Sequence, residues 1–123
     1  MAKRPHTRPP DALARNPRTV TVEAVDTERE FKDPTIAVTL YHVAGNPHSD
    51  TMLMAYVRAP STVASAKMER VLIQVDAFSP GAQTNPYAAN LLANVQSRKL
   101  AVDRIVPLHG AIAPMADLLK AGS

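Results

Sequence analysis

Cysteine is absent from the 123-residue sequence. A disulfide framework and a thiolate metal site are thereby excluded, and any metal would have to be held by His, Asp or Glu. Tryptophan is absent too, and two Phe and three Tyr leave little aromatic surface, so a core has to be aliphatic, built from Val, Leu, Ile, Met and Ala. No stretch approaches the roughly 18 consecutive apolar residues of a membrane span. Nor does an apolar segment follow the basic opening MAKRPHTRPP, so the sequence reads as that of a cytoplasmic protein with neither leader nor membrane anchor. What remains is 46% apolar residues, sufficient for one globular domain that buries about 60% or somewhat more of its unfolded surface.

Charge is unevenly placed. Lys3, Arg4, Arg8, Arg15 and Arg18 against Asp11 give residues 1–18 a charge of +4, which leaves the rest of the +3 chain at −1. Four of the eleven prolines, Pro5, Pro9, Pro10 and Pro17, fall in the same stretch. They exclude a long helix or a central strand and leave only Asp11 to Arg15 for a short helical turn. Residues 1–17 therefore read as a basic, proline-rich tail or linker, and residues 18–123 as the folded domain. A basic tail can touch nucleic acid, but no aromatic side chain is interleaved for base stacking. The simpler reading is a solvated segment, and no nucleic-acid partner is expected.

From Arg18 the pattern turns to β type. Thr19 to Val25 alternates β-branched residues and predicts a strand. Asp33-Pro34 marks a turn, and Thr35 to Val43 predicts a second strand, with Ile36, Val38 and Leu40 alternating with Ala37, Thr39 and Tyr41. Gly45-Asn46-Pro47 interrupts it, and Thr51 to Val57 predicts a third strand, antiparallel to the second across a loop that carries His48. Arg58 to Met68 reads as a connection, and Val71 to Val75 as a short apolar strand ending at Asp76. Asn85 as N-cap with Pro86 behind it predicts a helix to about Leu100, with Ala88, Leu91, Leu92 and Val95 on one face. Arg104 to Pro107 is long enough only for a strand, and Pro114 to Lys120 predicts a weak terminal helix. The fold class is α/β (α+β), one mixed sheet with its helices on one face.

Connectivity then indicates which polar side chains can meet. If the strand through His42 runs upward, the loop with His48 lies at the top, the next strand descends, and Val71 to Val75 rises again to leave Asp76 at the top. A helix returning to the bottom makes Arg104 to Pro107 rise in parallel and places His109 at the top as well. Strand ends at one edge of such a sheet commonly bear ligands, and two imidazoles with a carboxylate suit zinc. A loop histidine is nevertheless more often a surface residue, and an aspartate ending a strand often caps the next turn. His42, within a strand, reads as structural, and His6 has no evident partner. Ser49, Thr51 and Ser79 have no base at a recognisable spacing and are not read as nucleophiles.

The runs Tyr41-His42-Val43-Ala44-Gly45-Asn46-Pro47-His48-Ser49-Asp50, Val71-Leu72-Ile73-Gln74-Val75-Asp76 and Arg104-Ile105-Val106-Pro107-Leu108-His109-Gly110 resemble, in order and spacing, the second half of metallo-β-lactamase-fold hydrolases. The resemblance covers about residues 18 to 112. It implies half of an αββα sandwich, with His48 a ligand of a first zinc, Asp76 bridging two zincs and His109 a ligand of the second. The first half of such proteins bears His-x-His-x-Asp-His, and no two histidines here are separated by one residue. By this resemblance the chain is a truncated or half-length zinc hydrolase with part of a site for one or two Zn²⁺ ions, in need of a partner chain for full activity. A noncatalytic dimeric assembly module with idle metal residues and an autonomous mononuclear zinc hydrolase are the alternatives. Val20, Val22, Val38, Leu40, Leu53 and Val71 cannot all lie beneath one helix and a short second one. A homodimer through the exposed sheet face, or a chain that supplies the other half, is therefore expected.

Overall fold

The computed structural model describes residues 12–19, 21–61 and 67–123. Its chain runs α1 (Ala12–Arg15), β1 (Glu28–Lys32), β2 (Ala37–His42), β3 (Leu53–Pro60), β4 (Met68–Gln74), α2 (Ala88–Ser97), β5 (Arg104–Pro107), β6 (Ala113–Pro114) and α3 (Met115–Gly122). The strands form one six-stranded sheet in sequential order. Every neighbouring pair is antiparallel except β4 and β5, which are parallel and joined through α2. The class is mixed α+β. No helix among the described residues is long and apolar enough to cross a membrane.

Period-two alternation divides the sheet into unlike faces. Tyr56 lies opposite Thr39 on one side and Leu72 on the other, and Leu72 lies opposite Ile105. With Val43, Met52 and Met54, these apolar residues pack against Ala88, Leu91, Leu92 and Val95 of α2 and Leu118 of α3 in one buried cluster. Both helices therefore cover the same face. The core is aliphatic apart from Tyr56 and Phe78, and the Tyr56 hydroxyl is satisfied by donating to the Ala101 carbonyl at 2.7 Å.

The opposite face carries Phe31 opposite Val38, Val38 opposite Val57, Leu40 opposite Ala55, Val57 opposite Val71, and Ile73 opposite both Ala55 and Val106. Among the described residues no helix covers it. Phe31 and Ile73 stand 50% and 42% exposed, and the others are half-buried by their own neighbours.

The first strand lies elsewhere than the β-branched run predicts. Residues 21–25 have no regular structure and Val22 is 88% exposed. The edge position beside β2 is taken by Glu28–Lys32, an exposed and mostly charged segment. Turn chemistry decides this: Asp33 Oδ1 accepts from the backbone N–H groups of Thr35 and Ile36 at 2.7 and 2.8 Å. That closes a tight hairpin and sets β1 on β2 whatever its apolar content. β3 also runs on to Pro60 and β4 starts at Met68, so the connection expected over 58–68 is strand at both its ends. Of the basic tail, residues 1–11 and with them His6 lie outside the described residues. Ala12–Arg15 is the short helical turn expected there.

The α2 helix starts two residues later than the sequence predicts. Asn85 is not its N-cap, because its side chain is engaged by Ser79, accepting from Ser79 N at 2.7 Å and donating to Ser79 O at 3.1 Å. At the other end Leu100 N donates to Val95 O and Lys99 N to Gln96 O, with Lys99 at φ 54°. This is a Schellman end with a left-handed residue that is not glycine. Arg70 and Asp103 tie the base of β4 to the approach to β5: the carboxylate accepts from Arg70 N at 2.8 Å, Nε at 3.3 Å and Nη2 at 3.2 Å. These bonds from Arg70 hold the Asp103 carboxyl below its ordinary value.

Two outcomes follow from these ends. Lys99→Gly relieves the left-handed strain and raises stability by about 0.5–1 kcal/mol, read as a higher urea midpoint at unchanged slope. Because Asp103 has a lowered pKa in the folded state, its contribution is full above the unfolded value of 3.8 and is lost as pH falls through the folded one. Asp103→Asn should therefore flatten the acid side of the stability–pH curve relative to the parent while lowering stability at neutral pH.

Candidate functional site

The loop after β2 is fastened to α2. Asn90, Asn94 and Arg98 recur at every fourth position of α2 and its C-cap, so they share one face. The Asn94 side chain accepts from Ala44 N at 2.8 Å and donates to Ala44 O at 3.0 Å, and Asn90 Nδ2 donates to the same carbonyl at 2.9 Å. Arg98 reaches the His42 carbonyl at 2.7 Å. Gly45 turns the chain at φ 69°, and Asn46 completes the link, donating to Asn90 Oδ1 at 3.0 Å and accepting from His48 N at 2.9 Å. The backbone of His48 is thus held by a helix on the far side of the loop. The spacing of Asn90, Asn94 and Arg98 within an apolar helix was the available signal for this role, and reading α2 for its apolar face alone overlooks it.

The turn after β4 is built around Gln74, only 1% exposed. Its Oε1 accepts from Ala77 N at 2.9 Å and Phe78 N at 3.0 Å, and its Nε2 donates to Phe78 O at 2.6 Å. Wrapping around that side chain lifts Asp76 out at the strand end. Leu108 N donates to Gln74 O at 2.9 Å, which extends the parallel pairing past β5 and delivers His109 beside Asp76. Gly110 then turns at φ 103°, where a Cβ would also press on Pro80 at 3.4 Å.

His48, Asp76 and His109 are therefore brought together at one edge of the sheet. His48 Nε2 stands 3.4 Å from Asp76 Oδ2, and His109 Nε2 stands 3.5 Å from Asp76 Oδ1. All three side chains are open to solvent, 46%, 40% and 66% exposed in that order. The Tyr87 ring lies beside that of His48, with centroids 5.4 Å apart.

Those separations exceed an ordinary hydrogen bond. They match instead the spacing of two donors on one tetrahedral ion, about 3.4 Å when each bond is about 2.1 Å. Each imidazole addresses its own carboxylate oxygen. Among the described residues no group of three or more His, Cys, Asp or Glu is already disposed to hold one ion. As a donor set, two imidazoles and a carboxylate suit one or two divalent cations.

Neither a protein-family model nor a curated protein matches the chain.

His42, the other described histidine, donates through Nε2 to the Asp50 carbonyl at 2.5 Å and lies outside the cluster. It closes the loop that carries His48. A cavity of about 480 Å³ lies apart, between the 78–85 loop and α3, where Asp117 and Lys120 line it and none of the three clustered side chains does.

Gln74 offers the sharpest test of how this edge is held. Gln74→Leu keeps the volume but strands two buried N–H groups and a carbonyl, at about 1–3 kcal/mol for each group left unsatisfied. A loss of at least about 2 kcal/mol in chemical denaturation is expected, with faster amide exchange at Ala77 and Phe78.

Proposed function

We propose that the chain carries one part of a zinc-hydrolase centre of the metallo-β-lactamase type, with His48, Asp76 and His109 as its share of the ligands. The observation that carries this reading is the single Asp76 carboxylate with an imidazole Nε2 at 3.4 Å from one oxygen and another at 3.5 Å from the other. Such an arrangement would let His48 and His109 share Asp76 in holding zinc. A bound zinc supplies a water whose pKa is lowered towards neutrality, and hence a nucleophile.

What this chain's residues do is hold and orient. Asn46, Asn90 and Asn94 fix the His48 backbone, Gln74 fixes the turn at Asp76, and Gly110 permits the turn after His109. A catalytic zinc ordinarily takes three protein ligands, whereas each oxygen of Asp76 has one imidazole. With no His-x-His-x-Asp-His run in the 123 residues, the remaining donors and the group that orients the water would come from outside them. An autonomous mononuclear enzyme is less well supported, because the acidic residue that orients the water in the resembled family belongs to the His-x-His-x-Asp-His run absent from the 123 residues. The bare apolar face of the sheet favours a second reading, a noncatalytic assembly module in which the metal residues are idle.

Cobalt(II) titration followed by visible absorption distinguishes these. The first reading predicts binding that Asp76→Ala weakens at least 10-fold. It also predicts chelator-sensitive hydrolysis of lactam, ester and phosphodiester probes that is orders of magnitude below the roughly 10 s⁻¹ of an ordinary enzyme. No binding by the parent chain, or binding indifferent to Asp76, overturns it, and turnover at ordinary rates would establish the autonomous enzyme instead.

A further inference from the structure

The face of the sheet away from α2 and α3 has no covering element among the described residues, and its composition is that of an interior. Along β1 to β5 the register sets Phe31, Val38, Leu40, Ala55, Val57, Val71, Ile73 and Val106 in one continuous field. A one-residue slip would turn this field inwards, so the alternation that builds the core also builds the bare face.

We infer that a second copy of this chain covers it, the two sheets packing face to face about a two-fold axis. This rests on the sheet alone and not on the metal reading. Area is the first argument. Five strands about 4.8 Å apart and about 18 Å long present roughly 430 Å² in flat projection. A corrugated side-chain surface exceeds its projection, so two copies remove about 1,000 Å² or more, which reaches the range of specific interfaces. A patch of roughly 430 Å² on each copy is of the size that often serves binding.

Charge is the second argument, and it permits an identical partner. The charged side chains that the ladder places on this face are Arg29, Glu69 and Arg104. Each is neutralised within the chain: Arg29 by Glu23, and Arg104 by Glu69 with Nε to Oε1 at 2.6 Å. The face therefore asks for no countercharge from its partner, and two copies can meet without burying like charges. Val57 opposite Val71 lies near the middle of the field, where packed sheets about 10 Å apart interdigitate.

Light scattering and sedimentation of the full chain at micromolar concentration should give twice the 13.3 kDa chain mass. Val57→Asp, at the centre, should raise the dissociation constant at least 100-fold while the far-ultraviolet spectrum stays native. If that variant does not fold, methyl relaxation of the parent chain by a soluble paramagnetic probe replaces it: Val38, Val57, Val71 and Val106 should be shielded. A monomeric mass independent of concentration overturns the inference. So does a dimer unaffected by Val57→Asp in a folded variant, or one whose Val57 and Val71 methyls are relaxed freely. A monomer that gains mass only on addition of a separate chain bearing His-x-His-x-Asp-His would assign the face to that partner instead.

Discussion

Two adjacent strands that run in the same direction cannot be joined by a tight turn, and between β4 and β5 the chain answers this with the crossover through α2. Most of the molecule follows from that requirement. The crossover has to leave β4 at the end where β5 also finishes, so the residues just past both strands, Asp76 and His109, share one edge. It has to pass over one face, so Ala88, Leu91, Leu92 and Val95 bury that face and leave the other without a helix among the described residues. The Arg70–Asp103 contacts hold the pair at the opposite end, so the crossover is closed at its base as well as packed along its length.

Polar side chains do the finer positioning, and they are buried or half-buried where they do it. Gln74 and Asn94 stand 1% and 5% exposed. Each would be a cost in an apolar core were its donors and acceptors unmatched. Each is matched by backbone groups of the loops that carry Asp76 and His48. A loop held by a neighbouring helix or by a buried amide loses freedom that solvent-facing turn residues would leave it. Such rigidity is what a ligand set needs in order to present fixed donors.

Much of this was legible in the sequence. The alternation in Ile36 to Tyr41 and the apolar run at Val71 to Val75 located the central strands, and the helix period through Ala88 and Val95 located the crossover. Together they placed His48, Asp76 and His109 at one edge before any distance was known. What was not legible depends on contacts between segments distant in sequence. The β-branched run at Thr19 to Val25 has the better strand propensity, yet the Asp33 turn gives the edge position to Glu28–Lys32, because hairpin geometry outranks propensity at an edge. Asn85 has the sequence of an N-cap, and Ser79 engages its side chain first. The division of the Asp76 carboxylate between two imidazoles likewise depends on loop conformations that strand order does not fix.

The metal reading stands or falls on whether His48 and His109 act as a pair that excludes His42. Zinc titration of the full chain, followed through the ¹⁵N resonances of the imidazole rings, tests this most directly. Nε2 of His48 and of His109 should shift together as zinc is added, while His42, bound to the Asp50 carbonyl, stays unchanged. Resonances that do not move at all, or that move at His42 and not at the other two, would contradict the account.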